Sequence, residues 1–139
     1  MHITKENGQK LQKKIIMPCE SIIFCTFATI SFYLYIIGMV KHIILWTLNP
    51  ELSEEEKQTV KEGIKAGLEG LVGKVPGLID VKVNISGRLA SSNADVMLDS
   101  TLESEEALQG YAKHPEHVAV ANGKVRPYTV QRACLDFEI

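Results

Sequence analysis

The sequence predicts an α+β domain whose elements run in the order βαββαβ, with a four-stranded antiparallel sheet and both helices on one face. Three observations lead there. Four segments after residue 39 alternate apolar and polar residues with a period of two, the pattern of half-buried strands. Two other segments space apolar residues three and four apart and open on a serine followed by glutamates, the mark of a helix start. Asn49-Pro50, Pro76-Gly77 and Arg126-Pro127 supply turn chemistry between segments.

The first strand, Val40 to Leu48, puts Val40, His42, Ile44, Trp46 and Leu48 on one face and Lys41, Ile43, Leu45 and Thr47 on the other. Ser53 and Glu56 then form a capping box, with Glu54 and Glu55 set against the positive end of the helix dipole. Val60, Ile64, Leu68 and Leu71 make that helix's buried stripe, up to a stop near Gly73. Gly63, Gly67 and Gly70 weaken the helix but let it pack closely, by expectation on the sheet. Leu78 to Ile85 is the second strand, with Ile79, Val81, Val83 and Ile85 on one side, and Ala94 to Leu102 is the third, after a polar connection. Ser104 caps a second helix bearing Ala107, Leu108, Tyr111 and Ala112, which His114-Pro115 interrupts. Pro115 suits the first position of a further helical piece running to Val125, and Tyr128 to Glu138 is the last strand, with Ala133, Leu135 and Phe137 of one parity.

This order is the ferredoxin-like split βαβ arrangement. If the helices cover the face with Ile44, Trp46, Val81, Val83, Leu98 and Leu135, the other face shows Ile43, Leu45, Met97, Val130 and Cys134. An apolar patch of that kind needs a cover, and a second copy of the same sheet supplies one, so a homodimer through the sheet face is expected.

Composition narrows the partners. The 139 residues carry 15 Lys and Arg against 17 Asp and Glu, with no basic cluster after Lys14, so no nucleic-acid partner is expected. Cys19, Cys25 and Cys134 form no Cys-x-x-Cys pair, which gives neither a disulfide framework nor a thiolate zinc motif. Residues 1–38 differ from the rest: Ser21 to Val40 is free of charge, long enough to span a bilayer, and preceded by Lys13 and Lys14. Globular patterning begins directly at Met39. The expectation is therefore a folded, cytoplasmic domain at 39–139 and an apolar leader at 1–38 outside the fold, either an over-extended start or a membrane anchor.

Val40-Lys41-His42-Ile43, the helix start Leu52 to Glu56, the Val75 to Leu78 turn, and Tyr111 with His114-Pro115-Glu116-His117-Val118 together resemble the stress-responsive A/B barrel (Dabb) family over residues 39–139. The resemblance implies a ferredoxin-like protomer that closes into a dimeric α/β barrel. It also implies a pocket. In olivetolic acid cyclase, a plant polyketide cyclase of similar fold, a tyrosine and a histidine do acid/base work, and local matching puts Tyr111 and His117 in those places with His42 as a further pocket histidine. That enzyme's other polar pocket groups fall on Ile64 and Val96, which are apolar here. Ile64, Val96 and Trp46 are accordingly expected as pocket wall, and the same substrate is not expected.

Two function classes follow from these residues. One is a homodimeric domain holding a small apolar molecule between sheet and helices. The other is a cofactor-free acid/base enzyme with His117 as base, Tyr111 as acid or orienting group and His42 as partner. A plainer role also fits each histidine: a hydrogen-bonded core residue for His42, a capping network for His117. Arg126, Arg132, Asp95, Asp99 and Asp136 read as surface or barrel-lining charges. His114 and His117 lack a third ligand at suitable spacing, so no metal site is expected, and no residue selects a cofactor.

Overall fold

A computed structural model describes residues 38–139. The expected leader, apart from Gly38, lies outside the described residues. Among those residues no helix is long and apolar enough to cross a membrane.

Strand β1 is Val40–Leu48, followed by helix α1 at Glu54–Glu69, β2 at Leu78–Asn84, β3 at Val96–Leu102 and α2 at Glu105–Lys113. A short helix α3, Pro115–Val120, continues through a π-helical turn at Ala121–Val125 and a 3-10 turn at Arg126–Tyr128 into β4, Thr129–Glu138. The local signals act as expected. Ser53 Oγ accepts from the Glu56 amide at 3.2 Å while the Glu56 carboxylate accepts from the Ser53 amide at 2.8 Å, and Ser104 Oγ accepts from the Ala107 amide at 3.1 Å. Pro115 sits in the first turn of α3, where its missing N–H costs nothing.

The strands form one antiparallel sheet in the order β2-β3-β1-β4. This corrects the expected barrel. The sheet is open, with β2 and β4 as edges that do not pair with each other, whereas closure requires the outer strands to meet in a staggered register. The helices pack on one face over a core of Ile44, Trp46 and Leu48 from β1, Ile64 and Leu68 from α1, Val81 and Val83 from β2, Leu98 and Leu102 from β3, and Tyr111 from α2. Each such apolar side chain stabilises by about 1.5–3 kcal/mol on burial.

Three packing details depart from expectation. The parity of β4 is inverted: Ile43 pairs with Leu135 and Ile44 with Cys134, so Leu135 joins the outer face and Cys134 the helix face. Apolar Ala133, Leu135 and Phe137 point away from the helices, because β4 is an edge strand that α1 and α2 do not cover and its residues beyond Thr129 are exposed. In β2 the register shifts between Leu78 and Asp80, which leaves Ile79 exposed while Val81 and Val83 stay buried. Gly67 serves a helix contact rather than a sheet contact, since a Cβ there would meet Val120 Cγ1 at 2.9 Å.

The β2 edge is clipped by side chains at one residue, Val83. Glu69 accepts from the Val83 amide at 3.0 Å and from Lys65 Nζ at 2.5 Å, and Lys65 Nζ donates to the Val83 carbonyl at 3.0 Å. One i,i+4 pair of α1 thus satisfies both backbone groups of an edge residue.

Candidate functional site

His42 is on the helix face of β1, Tyr111 in the last turns of α2 and His117 in α3. The break at His114-Pro115 brings the latter two together: His114 ends α2 and caps α3, its Nδ1 accepting from the Glu116 amide at 3.3 Å. The capping role therefore belongs to His114, and His117 is left to face inward. The rings of Tyr111 and His117 lie 4.2 Å apart between centroids, and His42 meets Tyr111 edge-on at 6.0 Å.

These three rings line a cavity of about 510 Å³ between the sheet and the helices. Ile44, Trp46, Leu68, Leu98, Leu108 and Val125 supply its apolar wall, and exposed Arg126, Gln131 and Arg132 its solvent-facing rim. A volume of this order suits a small organic molecule. Trp46 is in the wall as expected. Ile64 and Val96 are buried in the core and do not line this cavity.

Two polar atoms inside have nothing to bond. Tyr111 Oη and His117 Nδ1 are both buried without a hydrogen-bond partner among the described residues. Burial pushes the Tyr111 hydroxyl up to about 12, so it keeps its proton and remains a donor. Burial also holds His117 below the ordinary imidazole value; the nearby Ala112 backbone opposes this, while His42, Arg126 and Arg132 add to it. A neutral imidazole beside a protonated phenol is an acceptor next to a donor, the pairing that proton transfer at a carbonyl-activated carbon requires.

His42 is held differently. Its Nδ1 lies 2.5 Å from Asp136 Oδ1, and because a carboxylate only accepts, Nδ1 carries the proton in that bond. Cys134 Sγ is 3.9 Å from the same nitrogen and 3.5 Å from Asp136 Oδ1. Desolvation raises the Cys134 thiol above its usual range, with Asp136 adding to the effect. Sequence reasoning left Asp136 among surface charges and assigned Cys134 to the wrong face. The missing signal was register: pairing His42 with Asp136 across β1 and β4 puts both on the helix face.

A scan against protein families matches residues 40–139 to the stress responsive A/B barrel domain. A search of curated protein sequences returned no match. Among solved structures, a dimeric protein of unknown function and ferredoxin-like fold from Bacteroides fragilis is 31% identical, with a TM-score of 0.68 over 73% of this chain and 97% of that one. A dimeric ferredoxin-like protein of unknown function from Thermobifida fusca is 22% identical, with a TM-score of 0.63 over 73% and 92% of the two chains. A hydroxynitrile lyase from Passiflora edulis shares the fold at 17% identity and a TM-score of 0.61, over 74% and 94%. With the family matched across 40–139 and the element order, sheet topology and broken second helix all in place, the chain belongs to the stress-responsive A/B barrel domain (Dabb) family.

Proposed function

We propose that this chain is a homodimeric binding domain that holds a small, largely apolar molecule with one polar end in the cavity between sheet and helices. The observation that carries the reading is the pair of buried, unpartnered polar atoms, Tyr111 Oη and His117 Nδ1, beside the apolar wall of Ile44, Trp46, Leu68, Leu98, Leu108 and Val125. Buried polar groups without partners cost about 1–3 kcal/mol each, so a ligand carbonyl or hydroxyl that satisfies them gains that energy back. Native mass spectrometry of the protein purified from its own cells tests this. A retained small-molecule mass that disappears in Tyr111→Phe and His117→Gln is expected, and a retained mass indifferent to both substitutions overturns the assignment of the site.

A second reading rests on the same two atoms taken with their protonation states. A neutral His117 acts as general base and a protonated Tyr111 as acid or orienting donor, in a cofactor-free lyase or isomerase reaction of the polyketide-cyclase kind. The hydroxynitrile lyase of the same fold supports only that the scaffold accommodates catalysis. For an enzyme, His117→Ala lowers turnover by about 100-fold or more with the fold retained.

Dimerisation is supported by the outer sheet face, where Ile43, Leu45, Met97, Ala133, Leu135 and Phe137 lie in register with Leu45, Leu135 and Phe137 exposed, and by the dimeric relatives. We assign the folded domain to residues 39–139 of a cytoplasmic protein, with 1–38 a leader outside the fold. The Met39 carbonyl, which accepts from the Ile139 amide at 2.8 Å, supports that boundary. A chain starting at Met39 is expected to keep the thermal midpoint of the full chain. Recovery of the protein only from membranes overturns the cytoplasmic assignment.

A further inference from the structure

We infer that His42, Cys134 and Asp136 form a binding site for a borderline-soft divalent cation of the zinc class, at the uncovered end of the helix face. Nothing in the acid/base reading uses these groups as a set, and the inference does not depend on that reading. Three different donor atoms, an imidazole Nδ1, a thiol Sγ and a carboxylate Oδ1, lie within 4.8 Å of one another. The strand pairing puts them there. Cys134 and Asp136 are two residues apart on β4 and so share a face, Asp136 is directly opposite His42, and Cys134 is opposite Ile44.

The contacts argue against a nucleophilic triad. In a triad the base uses one ring nitrogen for the nucleophile and the other for the carboxylate. Here Sγ and Oδ1 converge on the same Nδ1, at 3.9 and 2.5 Å. Convergence of three donors on one point is instead what a metal ion needs. Tetrahedral zinc at its normal bond lengths holds such atoms about 3.3–3.6 Å apart. The Sγ to Oδ1 edge is 3.5 Å already, the Sγ to Nδ1 edge is slightly long, and the Nδ1 to Oδ1 edge opens once the proton between them is replaced by a cation. On binding, the thiol proton leaves to solvent and the imidazole carries its proton on Nε2, which leaves Nδ1, a thiolate and a carboxylate as ligands. Sulfur and imidazole donors select zinc-like ions over magnesium or calcium. Cys134 and Asp136 are exposed, which gives the ion an entry path, and three protein ligands leave a fourth position for water or an exogenous ligand.

The test is a cobalt(II) titration of the full chain carrying Cys19→Ser and Cys25→Ser, so that Cys134 is the sole thiol. One equivalent of cobalt is expected to produce a thiolate-to-cobalt charge-transfer band with tetrahedral visible absorption, and zinc is expected to bleach both. Adding Cys134→Ser removes the charge-transfer band. Asp136→Asn, at an exposed position, weakens binding by about 100-fold with unchanged far-ultraviolet circular dichroism, at the upper end of what loss of a supporting group alone costs. Absence of the band in the Cys134-only chain overturns the site, as does a band that Asp136→Asn leaves at full strength, which would mean a thiol acting alone.

Discussion

Tyr111 and His117 are opposite answers to one environment. Desolvation favours the neutral form of each, so it raises the phenol to about 12 and lowers the imidazole. For His117 the folded value lies below the unfolded one of about 6.5, so its contribution is fully present above that pH and is lost as the pH falls toward the folded value. Urea unfolding should therefore show stability declining below about pH 6.5, with a shallower decline in His117→Phe. Tyr111 runs the other way: its contribution is fully present below the unfolded value near 10 and lost as pH rises through about 12. In an ultraviolet titration of the folded protein, Tyr111→Phe should remove a tyrosine that ionises only near 12. The same substitution should leave the ligand-free protein as stable or up to about 1 kcal/mol more stable, because it deletes a hydroxyl with no partner.

At the scale of elements, the turn before β2 tests how tightly α2 is seated. Gly77 has φ of +77°, and an added Cβ would lie 2.6 Å from Ala107 Cβ in α2. Gly73 has a similar φ of +83° with open space around it. Backbone strain alone costs about 1 kcal/mol, so Gly73→Ala should lower stability by about that much and Gly77→Ala by about 2–3 kcal/mol, in chemical denaturation. Ser53→Ala should cost about 1 kcal/mol through loss of the capping box. These elements were legible because their signals are local: Ser53 with Glu56, Ser104, Pro115 and the alternation from Val40 to Leu48. What was hidden depends on neighbours. Ile79 alternates correctly with Val81 and Val83, yet the register shift next to it turns it outward, which no count along the chain reveals. The same holds for β4, whose apolar parity faces away from the core, and so for half of the candidate site. Tyr111 and His117 sit in one recognisable segment, while Asp136 and Cys134 meet His42 only through register.

At the scale of the whole molecule, the proposed dimer rests on the open outer face. Leu135 is 61% exposed, Phe137 43% and Leu45 39%, and they lie on the same side of adjacent strands. An isologous contact across this face would bury all three twice over. Leu45→Glu with Leu135→Asp should convert the dimer to a monomer by sedimentation velocity while the circular dichroism spectrum is kept. A double variant that still sediments as a dimer places the interface elsewhere. Since Cys134 and Asp136 face the opposite way from Leu135, the cobalt site should survive in that monomer.

The Lys65–Glu69 clip on Val83 bears on a different hazard. An open sheet has two templates for recruiting foreign strands, and runaway fibre growth needs both, one to accept and one to offer. Here side chains of the protein's own helix occupy the backbone groups of Val83, next to the C-terminal end of β2. Two copies that met β4 to β4 would close that edge for both and stop there. Severing the clip would free the Val83 groups and lengthen the template that β2 offers.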